Sequence, residues 1–496
     1  MKMNKIYTVI WSALFAVSVN GQVRQPHSLY FMETIPQVSQ VNPAFQPRAN
    51  GYVMLPCFNF DFNSDLAVRD LLQKQDNKLK WDLPVEKQFD YDKLRKSIGK
   101  KATMINVGTD VDVIGFGFRA GSGYFSFGVS EHVFANTTLP SDIFNIIDKG
   151  FPDKTTLDFL SLNASTAGYM QILIGYSGKV NDKLSIGMNI KPLFGHVAIA
   201  PKIQKIKLST GEQLWDLDGK GNIYSSAPIE VIMDANDEDK IDKVEFRDFS
   251  DYTAGELINH YILGFNNPGI ALDLGAAYKI TERITVSASL NNLGFISWNT
   301  NNDLNSLNSI PFEGKYLFNG IKYDVTSDEN FKDVLKSLGD SIVDAMNYSV
   351  KDDKFKTMLT PVLYAGASYN LTQSVSVGLL SRTAFWKNSV RQSFNASVYL
   401  QPYSFVAMNL GATYQIKGNV SFGGGFTIFG GPLQFYLLVD NVPVYYSTIS
   451  INDGDKIPYI PERLKTITLR AGLNLVFGKH GYINRPMLDK GKSSWN

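Results

Sequence analysis

A single cysteine, Cys57, among 496 residues leaves the chain without an internal disulfide or a CxxC-type metal site. Excess charge is lacking as well. Against 48 lysines and arginines stand 47 aspartates and glutamates, and a net charge of +1 gives no electrostatic case for binding nucleic acid. There are five histidines, His27, His132, His196, His260 and His480. His132 and His196 fall at or near strand ends, but strand parity sets no serine and orienting carboxylate beside either, so an enzyme is not expected. No cofactor or metal is implied. Beyond residue 22 no apolar run approaches the roughly 20 residues that a membrane-spanning helix needs. The absence of a tandem repeat of fixed period argues against propellers and solenoids.

What is present begins at the start of the chain. Two lysines in Met1–Lys5 precede the apolar run Ile6–Val19 and the small polar stretch Asn20-Gly21-Gln22. That is the layout of a secretory signal peptide over residues 1–21, too short for a membrane anchor and without a cysteine for lipid attachment. An exported chain with no spanning helix can occupy a membrane only as strands. Forty glycines with 32 phenylalanines and 24 tyrosines suit a large β-structure with close-packed strands and aromatic rims.

The strands show in a two-residue alternation. In ALDLGAAYKITERITVSASL (271–290), Leu272, Leu274, Ala276, Tyr278, Ile284, Val286, Ala288 and Leu290 hold one face, opposite Asp273, Gly275, Lys279, Thr285, Ser287 and Ser289. QILIGYSG (171–178) and KLSIGMNIK (183–191) repeat the pattern, and the C-terminal third holds it almost continuously to TITLRAGLNLVFG (466–478). In a soluble sheet the apolar face would pack on a core; in a membrane barrel it would meet lipid and the polar face would line a lumen. Arg470 lies in mid-strand, where facing lipid would cost about 2–4 kcal/mol. It shares its face with Thr468, Gly472 and Asn474, and so is assigned to the lumen.

The clearest strands run about 9–11 residues, enough to cross a bilayer at a tilt. Short turns are expected at 119–123, 179–183, 279–283, 370–374, 401–403, 416–419 and 429–432, and long polar connections near 64–100, 133–166, 201–262, 297–360 and 441–463. This spacing predicts an all-β fold, a closed antiparallel transmembrane barrel of about 14 strands over residues 51–478. Loop helices are expected at 327–347, with its serine cap and helical apolar spacing, and at 86–99 and 140–149. Tyr176, Tyr278, Trp298, Tyr369, Tyr414, Tyr436 and Phe477 near strand ends fit aromatic girdles.

The segment SLYFMETIPQVSQVNPAFQPRANGYVMLP (28–56), with LDLGAAYKITERITVSASLNNLGFISW (272–298) and TLRAGLNLVFGK (468–479), resembles FadL-like outer-membrane proteins, including the PorV and PorP branches of Bacteroidota. In overall order, with MLTPVLYAGASYNLTQSVSVGLLSR (358–382), the chain resembles most an uncharacterised Bacteroidota outer-membrane family within that group. The resemblance implies a 14-stranded barrel in the outer membrane of a Gram-negative bacterium, with residues 22–50 as a luminal plug. It carries Asn42, Pro43 and Ala44 over as plug or gate residues, with Phe45 as an apolar anchor. From the residues alone NPAF is a turn-former, since Pro43 restricts Asn42 and the Asn42 side chain can bond the backbone ahead. One departure is a tail over residues 479–496 beyond the last aromatic, Phe477.

The implied function is passive uptake or binding of a hydrophobic small molecule. The alternative is a PorV-like barrel that holds a partner protein in type IX secretion, and a general porin is third. Asp273, Ser287, Ser289, Arg470 and Asn474 are expected to face the lumen. DANDEDKIDKVEFRD (234–248) has the oxygen ligands of a calcium loop but Asp239 where that turn needs glycine, so a solvated loop is expected. DLDGKGN (216–222) reads as a glycine-rich turn.

Overall fold

The computed structural model describes residues 26–478 apart from interruptions in the connections, the longest being 82–93, 95–101, 234–240, 258–264, 319–346 and 451–455. The expected leader, the tail, nearly all of the two helices at 86–99 and 327–347, and the start of the acidic loop lie outside the described residues.

Fourteen antiparallel strands form a closed barrel. The first seven are β1 (Gly51–Ser64), β2 (Ala102–Ala120), β3 (Gly123–Pro140), β4 (Asn163–Lys179), β5 (Leu184–Ser209), β6 (Pro268–Lys279) and β7 (Ile284–Trp298). The others are β8 (Val362–Asn370), β9 (Val375–Trp386), β10 (Ser389–Tyr403), β11 (Val406–Gln415), β12 (Val420–Gly430), β13 (Leu433–Val442) and β14 (Thr466–Phe477). Each pairs with its neighbour in sequence, and β14 closes on β1 from Gly51↔Phe477 to Asn63↔Thr466. Closure leaves no barrel edge whose backbone groups would need another partner.

Six short connections lie at the end where the barrel strands begin and finish. Two residues suffice at 121–122, where Gly121 takes φ +60°, and at 431–432, where Gly431 takes φ +62°. In the four-residue turns a side chain caps the backbone: Asn181 Oδ1 accepts from the Lys183 and Leu184 amides, and Thr281 Oγ1 from those of Arg283 and Ile284. The five long connections all lie at the opposite end, with the short connections 387–388 and 416–419 also there rather than among the tight turns. The expected turn at 401–403 is instead strand, because β10 runs on to Tyr403 and reverses at 404–405.

Outward residues form an apolar belt. Leu379, Leu410, Phe422, Phe394 and Ile186 are each between 47% and 64% exposed. At one end Phe118 stacks on Phe125 and Tyr176 tilts against Phe125 around the wall, with centroids 5.6 and 5.0 Å apart. Tyr176, Tyr278, Tyr369, Tyr414 and Phe477 are on this outer surface, but Trp298 and Tyr436 are not: each is 0% exposed and points inward. For Trp298 the reason is a bulge. The β6–β7 register slips between Leu272 and Leu274, Asn292 adopts φ +63°, and beyond it Ile296 and Trp298 face in where alternation from Leu290 would face them out. Tyr436 simply belongs to the inward parity of β13, alongside Gln434, Leu438 and Asp440.

Several strands exceed the expected 9–11 residues. At about 3.3 Å per residue the 26-residue β5 is far longer than a bilayer needs, and its distal half builds a ridge beyond the barrel. There Trp215–Ala227 pairs with β5 on one side and with Ser306–Phe318 on the other. The sequence 216–222 is therefore strand rather than turn. Asp218 is paired with Lys205, and Asp216 and Lys220 reach Lys315 and Glu313 at 2.7 and 2.6 Å. Burial of Leu157, Leu208 and Leu217 against the helix Ser141–Lys149 gives the ridge a small core of its own.

Candidate functional site

Residues 26–50 lie inside the barrel. The chain runs from the short helix His27–Tyr30 through the 3-10 turn Pro36–Gln40 to Asn50, whose amide donates to Phe477 O at the turn end. Its apolar residues Leu29, Met32, Ile35 and Val38 are fully buried, packed with Tyr364, Leu380, Tyr399 and Leu438 of the inner wall. Its polar groups bond that wall from every side. Asp440 accepts the Ser28 amide and, at 2.6 Å, its hydroxyl; Gln434 donates to Thr34 O; Gln37 and Asn474 exchange two bonds; Asn189 donates to Ser39 O.

The sequence-selected residues meet here. Asn42 is fully buried; its Oδ1 accepts the Ala44 amide at 3.0 Å, closing the turn, while its Nδ2 donates to Tyr30 Oη and to Ala288 O. Phe45 packs edge-on against Tyr30 with centroids 5.1 Å apart. Ser289 Oγ donates to Val41 O at 2.6 Å, and Ser287 Oγ lies 3.0 Å from Tyr30 Oη. Burial raises the Tyr30 phenol above its ordinary range, against the pull of its bonds to Ser287 and Asn42, so it remains neutral. Arg470 Nη2 reaches Asp112 Oδ2 at 2.9 Å and Gln40 Oε1 at 2.7 Å, and Asp273 pairs with Lys191 at 2.6 Å.

The seat for this segment is a row of inward small residues on β5, β6, β8 and β9. A Cβ on Gly187 would stand 2.1 Å from Pro43 O, and one on Gly275 would stand 2.2 Å from Asn42 Oδ1. Gly366 and Gly378 are likewise filled by the rings of Tyr30 and Phe31. Sequence reasoning did not single out these glycines. The signal was available in their placement at inward positions of neighbouring strands on either side of β7, since a strand glycine often marks close approach of another backbone.

Above the segment lies a cavity with two characters. His132, Gln171, Lys191, Asn291 and Arg470 supply a polar wall, and Val41, Leu173, Leu359, Val362 and Tyr364 an apolar one. Charged groups of the polar wall are paired, Lys191 with Asp273 and Arg470 with Asp112. His132 Nδ1 is 2.6 Å from Asp110, its partner directly across the β2–β3 ladder. His196 Nε2 is 3.2 Å from Glu131, which alternates with His132 along β3 and so lies on the other face of the wall, away from the cavity. Each histidine therefore has a carboxylate partner, which the reading of parity missed because it considered each strand alone.

The family model described as Family of unknown function (DUF5723) matches residues 43–440. No curated protein matches the chain. Among solved structures, the TodX monoaromatic hydrocarbon channel deltaS2 mutant is similar over 93% of this chain and 97% of its own, with 10% identity and a TM-score of 0.39. The Pseudomonas putida toluene transporter TodX gives 10% and 0.38 over 93% and 96%, and a Pseudomonas aeruginosa FadL homologue gives 11% and 0.38 over 93% and 100%.

Proposed function

The chain belongs to this family of unknown function, so its role is read from its own geometry, and we propose an outer-membrane barrel that captures or passes a hydrophobic small molecule. In this reading residues 26–50 are the plug that closes the lumen at the turn end, which faces the periplasm, and Asn42–Phe45 is its gate. The apolar belt supports a membrane setting, because an outer surface so continuously apolar is foreign to a soluble monomer. The mechanism is passive: a molecule enters among the long connections, rests in the cavity, and leaves when the plug or the wall yields.

The observation that carries the reading is where the cavity touches the wall. β7 pairs with β8 up to Asn291↔Val362 and with the strand Phe355–Met358 from Phe295↔Met358 onward. Between them Asn292–Gly294 faces residues 359–361, held by Leu359 N donating to Gly294 O at 2.9 Å. Asn291, Asn292, Leu359, Thr360 and Val362 line the cavity at this interrupted stretch of ladder. A second reading, a barrel that holds a partner protein as in secretion, is favoured by the ridge, where Leu160, Leu214 and Leu317 are each at least half exposed. An open general porin is less well supported, given how fully the segment occupies the lumen.

Mass spectrometry of the mature protein, purified from outer membranes in mild detergent, separates these readings. Capture predicts a stoichiometric hydrophobic small molecule that is lost when Asn42–Phe45 is deleted. A stoichiometric protein with no small molecule would replace capture with the partner-holding role.

A further inference from the structure

Arg382 sits on the inward face of β9 and is 1% exposed. Among the described residues nothing accepts a hydrogen bond from its Nε or its Nη2. These two nitrogens form the side-on edge of the guanidinium, two parallel N–H donors at the spacing of a carboxylate or phosphate. A buried guanidinium edge without an acceptor is costly, and arginine stays charged in proteins.

Among the described residues Arg382 makes no ion pair, and its neighbours supply donors and a π-face. Across the ladder to β10, Arg382 pairs with Ser393, whose hydroxyl is 2.9 Å from His27 Nε2. The next inward residue of β10, Arg391, is committed to Asn63 and to Asp65 at 2.9 Å. Trp386 Nε1, on the same face of β9, is another buried donor without an acceptor among the described residues. The Arg382 guanidinium carbon lies 5.9 Å from the ring centre of Tyr364, near the outer limit of a cation–π contact. Tyr364 in turn lines the cavity, and its other neighbour is Tyr30 of the N-terminal segment, stacked at 5.7 Å.

We propose that Arg382 is an oxyanion site, taking a carboxylate, phosphate or sulfate group side-on, entered from the cavity past Tyr364. The proposal rests on the reading of that cavity as a small-molecule site and adds a head group to it: the apolar wall takes the body of the ligand and Arg382 its charge.

The test is calorimetric titration of the full-length mature protein in a neutral detergent with three probes: inorganic phosphate, octyl phosphate and octanol. Wild type and Arg382→Met are compared, each checked for the compact, heat-modifiable migration of a folded barrel. Octyl phosphate should bind wild type and weaken by about tenfold or more in Arg382→Met, the loss expected for a charged bidentate contact. Octanol should bind both alike. Arg382→Lys, which keeps the charge and loses the fork, should fall between, and it serves in place of Arg382→Met should that variant not fold. Binding of inorganic phosphate to wild type alone would support the site with a free anion as its ligand; binding of octyl phosphate without phosphate would support it with an amphiphile's head group. Equal octyl phosphate affinity in wild type and variants would overturn the proposal. Failure of octanol to bind either protein would instead count against the capture reading, leaving the phosphate comparison to judge Arg382.

Discussion

Arg470 and Asp112 show what a single residue carries in this wall. Alternation along β14 was enough to send Arg470 inward, since a strand offers only two faces and lipid would exact a penalty on one. Its partner was not legible. Asp112 lies two strands away, brought alongside by closure of β14 on β1 and by β1 pairing with β2. Both groups are at most 2% exposed, so removing one strands the other. Asp112→Ala is expected to destabilise the folded barrel by about 3–5 kcal/mol in urea unfolding from vesicles, with the double variant Asp112→Leu/Arg470→Met recovering most of the loss. A cost for the single variant below that of an exposed surface pair would show the contact to be solvated. Trp298 is the converse case. Its identity and place near a strand end fit a girdle, but the bulge at Asn292 shifts the parity beneath it, and a bulge leaves no reliable mark on a hydrophobic pattern.

Strand positions and most tight turns could be read because each depends on residues adjacent in sequence: alternation for β6 through β14, glycine or a capping side chain for the reversals. The ridge could not, since whether Asp216–Asn222 turns or extends is decided by its partners in β5 and in Ser306–Phe318. The N-terminal segment has the same character. Its turn at Asn42 was legible, whereas its seat is assembled from glycines on four strands. Gly275→Leu should therefore dislodge the Asn42–Ala44 turn without breaking the β5–β6 ladder. We expect residues 26–50 to become cleavable by protease added from the turn side, with barrel migration in gels unchanged. Continued protection would mean that the segment is held without this seat.

For the whole molecule, one architecture accounts for a continuous apolar exterior, a polar interior and the collection of long connections at one end. The chain length and charge balance said little of this; the succession of alternating segments said most of it. The exterior is tested at Leu379, 64% exposed on β9. Leu379→Arg should cost about 2–4 kcal/mol in folding into vesicles if that face meets mid-bilayer hydrocarbon, and close to nothing if it meets water.

If residues 26–50 shut the lumen as proposed, planar-bilayer conductance will report it. Purified mature protein should insert silently or with rare, brief openings, and a variant lacking residues 26–45 should give steady channels of uniform conductance. Wild-type protein that conducts as steadily as the deletion would contradict the claim.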